Sequence, residues 1–137
     1  MTNKVDLNAY QDFVSEIASP CSSDPDTFIE RVTELRAETG LDLNRLLTSA
    51  IGLTAEGGEY AEIAKKIAFQ GKPYDEASRT HMIKELGDVM WYVVQGCVSL
   101  GTNLDEVLNT NIEKLASRYP DGAFKVQHSE NRKDGDI

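Results

Sequence analysis

Apolar residues recur at spacings of three and four along most of the chain, the period of helices that bury one face, and no stretch alternates as a half-buried strand does. Tyr10, Phe13, Val14 and Ile17 predict a short amphipathic helix from Asn8 to about Ala18, closed before Pro20. Asp24 as N-cap and Pro25 at the first helical position open a second helix, with Phe28, Val32 and Leu35 on its buried side and Gly40 at its end. Leu43, Leu46, Leu47, Ala50, Leu53, Tyr60, Ala64 and Ile67 form the seam of a long third helix, from about Asp42 to Phe69. A fourth, from about Asp75 to Leu100, carries Met82, Ile83, Leu86, Val89, Met90, Val93 and Cys97. It is apolar nearly all round between Val89 and Val94, which predicts that it is the central, most buried element. Gly101 stops it, Asn103 caps the next with Glu106 completing a capping box, and the fifth helix runs from about Leu104 to Tyr119, before Pro120. The pattern predicts an all-α, four-helix-bundle-type single domain of about five helices over residues 1–124. A polar tail over 125–137 follows, read locally as disordered or loosely docked.

Within this pattern the stretch from Glu56 to Asp88 stands out. Glu56 and Glu59, and again Glu85 and Asp88, are three apart, which on a helix stacks both side chains on nearly one face. Between the pairs lies the turn Gln70-Gly71-Lys72-Pro73. Counting outward from Lys72, Glu59 and Glu85 are each 13 residues away, and Glu56 and Asp88 each 16. Two antiparallel helices leaving that turn therefore bring four carboxyl groups to one level. Such a group is self-repelling unless a cation compensates it, and hard divalent ions with oxygen ligands do so. A solvated acidic face is the alternative, but Glu56 lies among Leu53, Tyr60 and Ile63 on the apolar side. Gly57 and Gly58 each cost a helix about 1 kcal/mol relative to alanine. Two in succession predict either a close approach to the backbone or a break in the helix. Gly87 is another small residue beside the carboxylates, and His81, one turn before Glu85, reads as a surface or supporting histidine rather than a ligand.

Composition narrows the chemistry. With 23 acidic and 14 basic residues among 137, the formal charge of −9 argues against binding to a nucleic-acid backbone, which needs clustered Lys and Arg. The N-terminus has no apolar run after Lys4, unlike a signal peptide, and the longest wholly apolar run, Val89 to Val94, is far short of a membrane span. Cys21 and Cys97 form no CxxC motif or disulfide framework, so a cytoplasmic location is expected.

On the fifth helix Asn111 faces inward, and Lys114 and Arg118 continue a polar, basic stripe from it. Four acids, an Asn and two cations on a helical scaffold are the parts of metal-assisted chemistry on a phosphorylated small molecule. Carboxylates hold Mg²⁺, the ion carries the polyphosphate and lowers the pKa of a water, and Lys and Arg neutralise the leaving phosphate. No GxxxxGK[ST] loop is present, and two histidines, His81 and His128, give little support to a Ser or Cys nucleophile with a histidine base. A di-iron carboxylate bundle needs Glu-x-x-His pairs, whereas Ser78 and Lys125 precede the histidines by three; carboxylate-only ligation favours Mg²⁺ or Mn²⁺.

Glu56-Gly57-Gly58-Glu59, 25 intervening residues and Glu85-Leu86-Gly87-Asp88-Val89-Met90-Trp91-Tyr92 together resemble the ExxE…ExxD signature of the MazG-like, all-α nucleoside triphosphate pyrophosphohydrolases. The resemblance continues through Asn111-Ile112-Glu113-Lys114-Leu115 and Arg118-Tyr119-Pro120, similar to that family's N-x-x-KL-x-x-RYP segment, and into Ser129-Glu130-Asn131-Arg132. It implies hydrolysis of a nucleoside triphosphate to the monophosphate and pyrophosphate, with Mg²⁺, or Mn²⁺ in its place, on Glu56, Glu59, Glu85 and Asp88. It further implies phosphate contacts from Asn111, Lys114 and Arg118, joined by Lys65 or Lys66. Arg132 would reach back over the nucleotide, against the local reading of the tail. Glu62 would be an extra ligand or position the water. Assembly as a homodimer or a dimer of dimers is implied as well. Tyr10, Phe13 and Trp91 are candidate stacking surfaces for a base. The alternative is a regulatory helical bundle that binds nucleotide without turnover, for which four mutually repelling acids have no use.

Overall fold

The structure, a computed structural model, describes residues 5–130. Among these it contains seven helices and no strand: α1 (Leu7–Glu16), α2 (Pro20–Ser23), α3 (Pro25–Thr39), α4 (Leu43–Phe69), α5 (Glu76–Ser99), α6 (Leu104–Arg118) and α7 (Val126–Glu130). The all-α reading holds, and α1, α3, α4, α5 and α6 are the five helices predicted by periodicity. The chain forms two compact units, one ending at Leu43 and one beginning at Asn44. Among the described residues no helix is long and apolar enough to cross a membrane.

In the first unit, side chains that satisfy the orphan N–H groups of a helix start set the boundaries. Asp6 accepts from the N–H groups of Asn8 and Ala9 at 3.0 and 3.2 Å, opening α1. Asp24 accepts from the Thr27 N–H at 2.8 Å and from its hydroxyl, which holds the Asp24 carboxyl below its ordinary pKa and opens α3 at Pro25. Gly40 ends α3 in the left-handed region at φ 73°, where a side chain would be strained. Pro20, expected only to stop α1, instead begins the single turn α2.

The second unit is built on the α4–α5 hairpin. Gly71, at φ 70°, reverses the chain, and the Lys72 N–H donates back to the Lys66 carbonyl at 3.1 Å. Asp75 caps α5 by accepting from the Ser78 N–H at 2.8 Å, while the buried Ser78 hydroxyl donates to the Pro73 carbonyl at 3.0 Å. One side chain thereby ties the turn to the first turn of α5. At the far end α5 closes in a Schellman motif, with Thr102 N–H on Cys97 O and Gly101 N–H on Val98 O, and Asn103 caps α6 through the Glu106 N–H at 2.9 Å. The stretch read as disordered or loosely docked starts with a helical turn, α7, whose His128 stacks on Tyr119, itself packed against Phe124; its residues 131–137 lie outside the described residues.

Two expectations from periodicity are corrected. Among the described residues the buried apolar side chains are only Ile63 and Cys97, each 5% exposed, while Met90, Trp91 and Val94 of α5 remain 45%, 54% and 46% exposed. The reason is which face of α5 meets α4. The contacts run through Glu85, Tyr92 and Gly96, and at about 100° per residue Leu86, Met90, Ile83 and Val94 fall on the opposite side. The second concerns Gly57 and Gly58, where the helix break is excluded and no atom of the described residues makes the close approach. The helix is unbroken there, and a Cβ on either would meet nothing within 4 Å. The glycines that do admit close contact are Gly52, where a Cβ would lie 2.1 Å from the Tyr92 ring, and Gly96, where it would lie 2.8 Å from Ser49 Oγ.

Candidate metal centre

Antiparallel pairing in the hairpin follows the register counted from Lys72. Gly52 and Tyr92, which touch, are each 20 residues from it, so the carboxylate pairs at 13 and 16 fall on the same facing surfaces, nearer the turn. One carboxylate oxygen each from Glu56, Glu59 and Glu85 lie within 4.8 Å of one another. Their exposures grade from the buried Glu85 through the half-buried Glu56 to the exposed Glu59, so the cluster opens on one side to solvent.

Each acid has a distinct environment. Glu85, whose side chain is 8% exposed, lies 2.9 Å through Oε1 from His81 Nε2, one turn earlier on the exposed side of α5. A neutral imidazole with its proton on Nε2 would donate to that oxygen and fix the carboxylate's orientation, leaving Oε2 for another partner. His81 thus belongs to the centre as the partner of a carboxylate. Burial pushes the Glu56 carboxyl above the usual range, and the charges of Glu59, Asp88 and Glu85 add to the effect, with a hydrogen bond to Glu85. Asp88 is exposed and is not one of the three clustered groups, but its charge is felt at Glu56.

The donor set is all oxygen, carries several negative charges and is partly withdrawn from water, which suits a hard divalent cation such as Mg²⁺ or Mn²⁺. Three carboxylate oxygens within 4.8 Å of one another are close enough that one such ion would be held by all three. Beside it is a cavity of about 300 Å³, lined by Glu59, Glu62, Lys66 and His81 with Ala55 and Ile63 on its apolar side.

The remaining predicted residues distribute as follows. Glu62, Lys65 and Lys66 form a group on the last turns of α4. Both ammonium groups pair with the Glu62 carboxylate, Lys66 at 3.3 Å, and hydrogen bonds first from Lys65 and then from Lys66 hold Glu62 below the ordinary carboxylate range. Asn111, Lys114 and Arg118 stand on α6, spaced by three and four residues; Asn111, expected to face inward, is exposed, Arg118 is half-buried, and it and Lys114 both have partners. Arg132 lies outside the described residues. Tyr10 and Phe13 are exposed on α1, and Trp91 is exposed on α5 with its ring edge-on to Tyr92 at 4.7 Å. Sequence reasoning missed Gly52 and Gly96. The signal that would have found them is the same register about Lys72, extended two turns beyond the acids.

Comparison with known proteins bears on the helices that carry this cluster. The family model for the MazG nucleotide pyrophosphohydrolase domain matches residues 45–123, which covers α4, α5, α6 and the segment just after it. The Gene 37 protein of Mycobacterium phage L5 is 38% identical over 76 residues, 55% of this chain and 67% of that protein. No solved structure matches. The matched span is more than half of the chain and holds all four signature acids, so the chain belongs to the MazG nucleotide pyrophosphohydrolase domain family.

Proposed function

We propose that this protein hydrolyses a nucleoside or deoxynucleoside triphosphate to the monophosphate and pyrophosphate with Mg²⁺ as its ion, in nucleotide pool control or housecleaning. The observation that carries the reading is the convergence of Glu56, Glu59 and Glu85 within 4.8 Å, at the edge of a cavity lined by Lys66 and His81. When bound, the ion supplies charge neutralisation of the phosphate chain and acidifies a water. Glu56, Glu59 and Glu85 hold it, with Asp88 completing the set from the next turn of α5. His81 keeps Glu85 oriented. Lys65 and Lys66 exchange their contact with Glu62 for phosphate oxygens, and the freed Glu62 carboxylate is then available to accept a proton from the attacking water. Asn111, Lys114 and Arg118 of α6 bind the outer phosphates, where cations offset charge developing on the leaving group.

A second copy of the chain belongs in this reading. Ile83, Leu86, Met90 and Val94 form an exposed stripe on the side of α5 away from α4, and Trp91 and Val98 widen it. Together they leave in water an apolar surface of the kind that marks a protein–protein contact. Isologous pairing of this stripe gives a homodimer or a dimer of dimers.

The test is a panel of ribo- and deoxyribonucleoside triphosphates incubated with the protein and Mg²⁺ or Mn²⁺, with phosphate detected in the presence and absence of inorganic pyrophosphatase. Signal that depends on the added pyrophosphatase, and that falls at least a hundredfold in Glu59→Ala, is expected. No pyrophosphate from any nucleotide at several metal concentrations would refute turnover and leave the non-catalytic nucleotide-binding bundle. Undiminished release from Glu59→Ala would remove the assignment of the acids.

A further inference from the structure

The carboxylates that converge on the ion come from two helices, so their spacing depends on how closely α4 approaches α5. The tightest contact between the two helices among those the glycines make is at Gly52. A Cβ on Gly52 would stand 2.1, 2.2 and 2.3 Å from Cε1, Cδ1 and Cζ of Tyr92, so the ring rests directly on the α4 backbone. Gly52 is buried, and the Tyr92 ring also makes a T-shaped contact with Trp91, the ring centroids 4.7 Å apart. One turn further from the hairpin turn, Gly96 and Ser49 repeat the close approach with smaller groups.

The contact lies next to the acids. Gly52 is four residues before Glu56, and Tyr92 is four after Asp88, so on each helix about 6 Å of rigid backbone separates the contact from its nearest acid. Ordinary carbon–carbon contact is about 3.5 Å, so one added methyl at Gly52 forces the ring and the α4 backbone apart by about 1.4 Å. Oxygens from two helices that lie within 4.8 Å of one another, and would have to reach one ion together, tolerate little added separation of those helices.

We propose that the Tyr92 ring seated on Gly52 is the spacer that sets the α4–α5 separation at the carboxylate cluster, which makes Gly52 and Tyr92 positioning residues for the ion. The inference rests on the metal-centre reading of Glu56, Glu59 and Glu85. It assigns to the glycine at 52, rather than to Gly57 or Gly58 between the ligands, the backbone approach on which ligand geometry depends.

The experiment measures Mn²⁺ affinity by calorimetry on the full chain without nucleotide, with helical content and thermal midpoint recorded for each variant. Gly52→Ala is expected to weaken Mn²⁺ binding at least tenfold while the helices are retained. Gly52→Ala combined with Tyr92→Ala is expected to recover most of that loss, because the methyl enters the space of the ring; Tyr92→Ala alone completes the cycle. Val107→Ala on α6, a destabilising change away from the contact, is expected to leave Mn²⁺ affinity within twofold, separating spacing from general loss of stability. If Gly52→Ala does not fold, recovery of both fold and Mn²⁺ binding in the double variant carries the conclusion, and a double variant that stays unfolded or metal-free overturns it. Gly52→Ala binding within twofold of wild type, or a double variant no better than the single, also overturns it. Wild-type protein that binds no Mn²⁺ would overturn the metal-centre reading itself and this inference with it, an outcome distinct from wild-type binding that the variants leave unchanged.

Discussion

Replacing Gly57 by alanine separates a glycine kept for its backbone from one that merely occupies a helix. Gly57 sits in the interior of α4, it is not among the glycines with positive φ, and a Cβ there would meet nothing within 4 Å. Nothing in the folded chain therefore opposes the methyl group. The substitution restricts the unfolded backbone and removes the helix penalty of glycine, gains that together amount to about 0.8–1 kcal/mol. For a unit of fewer than 100 residues that raises the thermal midpoint by about 4 °C. The measurement is a far-ultraviolet circular dichroism melt in EDTA, repeated as a urea titration so that an unchanged m-value shows the same surface being exposed. A fall in midpoint would refute the reasoning, because it would mean that an atom from outside this chain packs against the α4 backbone at that point. Gly58→Ala makes the useful companion. It carries the same expected gain in stability, but Gly58 borders the cavity beside Glu59, so its methyl should raise KM for the nucleotide.

Two further outcomes follow from the charge and the surface of the second unit. Glu56 has a folded pKa above its unfolded value, so the folded chain binds the extra proton; in EDTA, stability relative to Glu56→Gln should fall as pH rises from the ordinary carboxylate value through the raised one, and Mg²⁺ should abolish the trend. Urea midpoints across pH check this, and a difference between the two proteins that does not change with pH would contradict it. Sedimentation at micromolar concentration should find the wild type as a dimer or larger, and Met90→Glu with Val94→Glu should shift it to monomer; a wild type that is already monomeric would remove the assignment of the α5 stripe.

The helix boundaries were legible because they are encoded in a few residues with local physics. Asp24 before Pro25, Gly40, Gly101 and Asn103 each act where their side chain or lack of one predicts. The acids were legible for a related reason: a short turn and straight helices convert sequence distance from Lys72 into position along the hairpin. What periodicity does not encode is which neighbour covers a face. It found the apolar side of α5 and assigned it to the interior, whereas α4 meets α5 through Glu85, Tyr92 and Gly96, and the apolar side is left exposed. The one-turn helices α2 and α7 are shorter than any period that would reveal them. At the site, the sequence named Glu56, Glu59, Glu85 and the charge of Asp88, but it placed the close backbone approach at Gly57 and Gly58. A run of two glycines is conspicuous, and a single Gly52 opposite a tyrosine 40 positions later is not.

The hairpin turn carries a last consequence, for length rather than chemistry. Glu59 and Glu85 are joined through helix on both sides of Gly71, so one residue inserted between Glu59 and Phe69, or between Glu76 and Glu85, rotates its pair of acids by about 100° and carries it 1.5 Å along the axis. The same residue inserted at Gln70 or Gly71 adds only slack to a loop. Evolution can therefore lengthen this protein at the bend while both arms stay fixed in count, and the 25-residue interval between the two acidic motifs is free to vary only where the helix is interrupted.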